Sequence, residues 1–261
     1  MTGHHAASGS GPALVLLVAL AYELGALHVA GWSRWRLLAF HAGCVTVIVG
    51  LVLPVHGSTG HDFTGHMAQH LLIAMLAPLG LVLGAPVTLA LRALPVPAAR
   101  RLTRLMRAHP VRVLTHPVSA LVLTVGGLPL LTSPELMAHP LVTLHVILAG
   151  YLFTWVIAGV DPAPHRLSVP VRLVVLGVAI AAHAGFRHYL YATADGPDQR
   201  AGATLMYYGG DLVELLLAFA VVQLRPRPRR SGPGIRPVGR PVSAAGSGRR
   251  PACRPGPATV R

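Results

Sequence analysis

The chain has 261 residues, 53% of them hydrophobic and 11% charged, where a soluble domain carries about a quarter charged residues. With a mean hydropathy of +0.58, this composition excludes an ordinary soluble globule and indicates a membrane protein. The formal net charge of +14 comes from 22 arginines and no lysine. They sit in loops and in the C-terminal tail, which argues against a nucleic-acid partner and for membrane orientation.

The elements follow in chain order. Residues 1–11, MTGHHAASGSG, carry no Lys or Arg. A secretory signal opens on a basic segment, so the first apolar run is expected to be a retained helix. A helix that crosses a bilayer needs roughly 20 largely apolar residues. Seven runs qualify: about 12–31, 37–54, 66–91, 117–132, 140–160, 170–192 and 203–224. The third holds Pro78 and Pro86, which predicts a kink or break near its inner end. The fourth is short and contains Gly126, Gly127 and Pro129. None shows the sustained alternation of a membrane barrel. The expected fold is therefore all-α, a polytopic bundle of about seven transmembrane helices over residues 12–224. Residues 225–261, with ten Arg, eight Pro and six Gly, have little apolar surface to bury and are expected to form a disordered cytoplasmic tail that anchors to anionic lipid.

Placing the N-terminus outside puts 20 of the 22 arginines in inner loops and the tail, leaving Arg187 and Arg200 outside. The opposite orientation reverses this and violates the positive-inside rule. A multi-pass protein of the lipid bilayer with the C-terminus inside follows.

In that topology the histidines collect toward one side. GHMAQHLLIAMLAPLGLVLGAP, residues 65–86, opens on His66 and His70, four apart and on one helical face. His145 lies in the fifth run, His183 and His188 in the outer part of the sixth, and Asp211 and Glu214 share a face of the seventh. Ionisable groups inside a membrane are costly and usually face the bundle interior. Neutral imidazole is the commonest metal ligand, and imidazole with thioether suits copper or another late first-row metal better than Mg²⁺ or Ca²⁺. His66, His70, His145, His183, His188, Asp211 and Glu214 are thus the candidate ligands for such a metal. The bland reading stands beside this: a lone intramembrane His often serves only as an interhelical hydrogen-bond partner, and Met residues are more often packing than ligands. Glu23, in the middle of the first run, has to pair, be protonated or line a wet cavity. Asp161, before Pro162, reads as a cap or turn residue. The two cysteines, Cys44 and Cys253, lie far apart in no CxxC pattern, which excludes a thiol-redox centre or zinc knuckle.

HMAQHLLIAMLAPLGLVLGAP resembles the third-helix segment of CtaG-type cytochrome c oxidase assembly proteins. The resemblance continues through HPLVTLHVILAGYLFTWVIAGVDPAPHR, LGVAIAAHAGFRHYLYA and AGATLMYYGGDLVELLLAFAVVQ, over about residues 15–224. It implies a seven-helix membrane protein that helps to assemble an aa3- or caa3-type oxidase, with oxidase subunits and a copper donor protein as partners. It also implies a non-enzymatic role in copper-centre formation. Two alternatives stay open: a transporter of copper or another small solute, suggested by Glu23 and the interrupted third and fourth runs, and a haem-binding redox protein with two axial histidines. No CxxCH motif is present, so covalent haem is excluded. No nucleophile elbow or phosphate-binding glycine loop is present either.

Overall fold

The computed structural model describes residues 4–52, 62–133, 136, 139–162 and 167–223, and only the backbone of residues 4–10. The predicted tail, the outer-loop residues His56 and His61, and His165 lie outside the described residues. Every described element is helical. They are α1 (His4–His28), α2 (Arg34–Val52), α3 (Phe63–His70), a π-helical segment (Leu71–Leu76), α4 (Ala77–Leu83), α5 (Pro86–Ala93), α6 (Val96–Met106), α7 (His109–Leu114), α8 (Pro117–Gly126), a 3₁₀ segment (Leu128–Thr132), α9 (Pro140–Ala158), α10 (Val169–Ala192) and α11 (Pro197–Gln223). The all-α membrane fold expected from composition is the fold observed.

Among the described residues six stretches are long and apolar enough to cross a membrane: Gly11–His28, Arg34–Val52, Phe63–Ala93, Pro140–Ala158, Val169–Ala192 and Pro197–Gln223. The remaining expected span, Pro117–Thr132, is shorter. At about 1.5 Å per α residue and 2.0 Å per 3₁₀ residue it reaches roughly 25 Å, against about 30 Å of hydrocarbon. It nonetheless joins the two larger core clusters. Ala120 packs with Leu79, Ile157 and Val221, whereas Leu128 and Leu131 pack with Met67, Leu190 and Met206. Large apolar side chains such as Leu17, Leu27, Leu215 and Phe219 are exposed on the outside of the bundle, as a surface solvated by lipid requires.

The long third span is broken where its prolines predict, and in one place more. Pro78 has no N–H to offer the Ala74 carbonyl four residues back. The turn before it widens to π geometry, with the Ala77 N–H reaching the Leu72 carbonyl. Gly150 of α9 fits against the Ala74 backbone there, because a Cβ at that position would collide with it. The break itself comes at Ala85, whose φ of +53° is left-handed, just ahead of Pro86, which starts α5. On the other side of α4, Gly80 and Gly43 bring α4 and α2 into backbone contact: a Cβ on Gly80 would lie 2.7 Å from the Ala39 carbonyl. Small residues at such crossings replace the hydrophobic driving force that lipid removes.

Two acidic residues cap helices other than their own. The Asp198 carboxylate accepts from Phe63 N (2.7 Å) and from the Thr64 hydroxyl (2.7 Å) at the start of α3. The Asp161 carboxylate accepts from Thr88 N (2.7 Å) and the Thr88 hydroxyl (2.6 Å) at the start of α5. Each puts negative charge where the helix dipole favours it. Asp161 is thus a cap, but of a helix 73 residues away in the chain. Glu23 finds the partner that its position demands: its Oε2 lies 3.6 Å from His41 Nε2 on α2.

Candidate functional site

The start of α3, the 3₁₀ segment, the end of α10 and the start of α11 gather around the core of Met67, Leu128, Leu131, Leu190 and Met206. Beneath that core lies a cavity of about 50 Å³, room for an ion or a few waters. Its walls are largely apolar. Four ionisable side chains interrupt them: His70 from α3, His145 from α9, His183 from α10 and Glu214 from α11. Met75, in the π segment, adds a thioether.

His70 is buried, 8% exposed, and neither of its ring nitrogens has a hydrogen-bond partner among the described residues. Leaving a buried polar atom unsatisfied costs about 1–3 kcal/mol, and His70 bears that cost at both ring nitrogens. His70 also lines a second, smaller cavity of about 20 Å³ together with His66, Gln69 and Thr143. The i, i+4 pair therefore spans two adjoining cavities, with His66 toward the start of α3 and His70 between them.

His183 is buried. Its Nδ1 lies 3.0 Å from the Ala179 carbonyl, which can only accept. Nδ1 therefore carries the proton, and in the neutral ring Nε2 keeps its lone pair. Glu214 is buried as well, with Oε1 3.6 Å from His183 Nδ1 and Oε2 3.8 Å from Arg187. His145 is half-buried, and its Nε2 packs against Gly127, where a Cβ would come within 3.1 Å.

The remaining two candidates are elsewhere. His188 is exposed, with Nδ1 2.7 Å from the Ala184 carbonyl and its ring edge-on to Tyr207. Five residues beyond His183 is about 140° around a helix, so the two cannot share a face. Asp211 does not line the cavity; it is ion-paired to Arg187 at 2.8 Å.

Arg187 is the residue that sequence reasoning passed over as one of two outer arginines. It is 3% exposed. Its guanidinium donates to the Tyr207 carbonyl and to Asp211, and lies over the Tyr207 ring at 5.1 Å. The signal was present: an arginine inside the apolar run LGVAIAAHAGFRHYLYA, one turn after His183. Met67 and Met206 are core packing, as the bland reading holds. Among the described residues no three His, Cys, Asp or Glu side chains converge on one point. The lining is a set of donors around a cavity rather than a closed cage.

An uncharacterised protein of Mycobacterium bovis is 36% identical to this chain over 190 residues, covering 66% of the chain and 29% of its own length. One of Mycobacterium tuberculosis matches to the same extent. One of Mycobacterium leprae is 35% identical over 196 residues, 66% of the chain and 30% of its own length. The chain thus spans under a third of the length of these curated relatives. No solved structure matches it. The family described as cytochrome c oxidase caa3 assembly factor (Caa3_CtaG) matches residues 16–225, and with the third-span histidines and the helical bundle in place, the chain belongs to that family.

Proposed function

We propose that this protein is a non-catalytic assembly factor of a caa3-type cytochrome c oxidase in the plasma membrane, and that copper bound for the oxidase is its cargo. The observation that carries the reading is His70: a buried imidazole, unpartnered at both nitrogens among the described residues, on the wall of a cavity that His145, His183, Glu214 and Met75 also line. Imidazole with a thioether is a soft donor set suited to Cu(I). Donors that do not converge at rest would close around the ion by side-chain rotation and release it again, which suits a carrier. His66, in the adjoining cavity, would receive copper first and His70 would pass it inward. Arg187 holds Glu214 and Asp211 in place without facing the cargo.

The arginine distribution supports an outer location for the cavity, with α6 and the tail inside. In this reading Pro117–Thr132 is the seventh crossing. Oxidase subunits and a copper donor protein are the partners. The test is complementation. Cells lacking the protein, supplied with the His70→Ala/His183→Ala variant at wild-type abundance, are expected to make oxidase deficient in its copper centre, read by its electronic absorption and by oxygen uptake. Normal oxidase from that variant contradicts the proposal. Copper accumulation in sealed vesicles at wild-type rates would favour a transporter instead.

A further inference from the structure

The opposite end of the bundle holds a concentration of charge that the cavity does not use. α6 carries Arg100 and Arg104, with Arg107 at its C-cap, and none of its residues is buried. At i, i+4 and i+7 the three guanidiniums share one face. With Arg92 of α5 they line an open cleft of about 660 Å³, whose walls also include Leu94 and Val96.

Among the described residues none of these four arginines is ion-paired to a carboxylate. Residues 63–134 contain no Asp or Glu. Asp161, which reaches α5, is 1% exposed and engaged at that helix's N-terminus. Arg92 and Arg36 both lie over the Trp32 ring, at 6.0 and 5.1 Å, which ties the end of α5 to the α1–α2 turn. An indole flanked by guanidiniums beside exposed Leu94, Val96 and Leu105 is the composition of a membrane–water interface.

We infer that the cleft between α5 and α6 is a binding site for the phosphate headgroup of an anionic phospholipid. Several guanidiniums facing one cleft repel each other unless an anion sits between them, and a guanidinium fork matches two phosphate oxygens. The apolar wall beside the charges gives an acyl chain a surface that free phosphate would leave uncovered.

The test uses the purified full chain in a neutral detergent, with lipid retention read by native mass spectrometry. Phosphatidylglycerol is expected to stay bound where phosphatidylcholine does not, and equimolar inorganic phosphate is expected not to displace it. Arg100→Gln/Arg104→Gln/Arg107→Gln should weaken retention by at least about tenfold. The charge-matched tail variant Arg225→Gln/Arg227→Gln/Arg229→Gln should change it by less than about twofold. Arg104→Gln alone, the gentler change, should lose about threefold. Equal loss in the cleft and tail variants, or equal retention of the two lipids, overturns the inference. Displacement by phosphate assigns the cleft to the free anion and overturns it too.

Discussion

His70 and Arg187 are both buried polar side chains, and they predict opposite responses to removal. Arg187 donates through its terminal nitrogens to the Tyr207 carbonyl and Asp211 and is ion-paired to Glu214, although its Nε has no hydrogen-bond partner among the described residues. Arg187→Met leaves Glu214 buried without its cation and should lower stability by about 3 kcal/mol, read as thermal unfolding in detergent. His70 has no hydrogen-bond partner to lose among the described residues. His70→Leu should leave the melting temperature unchanged or raise it, because an unsatisfied polar group gives way to an apolar one of similar size. A large fall would mean that His70 holds the fold rather than the cargo. The residue identities of the cavity were largely legible in the sequence: His70, His145, His183 and Glu214 were all named from depth and helical face. His188 was misplaced because similar depth on one helix does not put two residues on the same side of it, and Asp211, though on the face of Glu214, is ion-paired to Arg187 and does not line the cavity. Arg187 was missed because counting arginines by side of the membrane treats each as a surface charge.

At the scale of elements, the third span shows what proline does to a helix surrounded by neighbours. The break at Pro86 was legible from the sequence. The π segment was not, because its cause, Pro78, lies beyond it and its stabilising contact, Gly150, is 76 residues from Ala74 in the chain. Gly150→Ala should push α9 off the π segment and cost on the order of 3 kcal/mol, measured by the same unfolding experiment. Ala85→Gly should do the reverse, relieving a left-handed alanine and gaining about 1 kcal/mol. The tertiary caps from Asp161 and Asp198 were equally out of reach, since a cap read from sequence is sought within its own helix.

For the whole molecule, the account requires the cavity and the α5–α6 cleft to face opposite sides of the membrane. Gly196, in the α10–α11 turn, has nothing within 4 Å of an added Cβ. In a background with Cys44 and Cys253 replaced by serine, Gly196→Cys should react with a membrane-impermeant maleimide on intact cells, and Arg101→Cys should react only after lysis. Six of the seven expected runs coincide, in order, with the stretches that are long and apolar enough to cross a membrane among the described residues. The length shortfall of Pro117–Thr132 was foreshadowed by its glycines and proline. What hydropathy could not give was how the helices rotate about their own axes, which decides which histidines meet.

The most direct measurement is copper stoichiometry and affinity of the detergent-purified protein, with Cu(I) presented under reducing conditions against a competing chelator. The account predicts about one copper per chain, lost in the His70→Leu/His183→Leu variant while its melting temperature shows that it remains folded. Equal binding by the two proteins, or none by either, contradicts the account and leaves these histidines without a copper role.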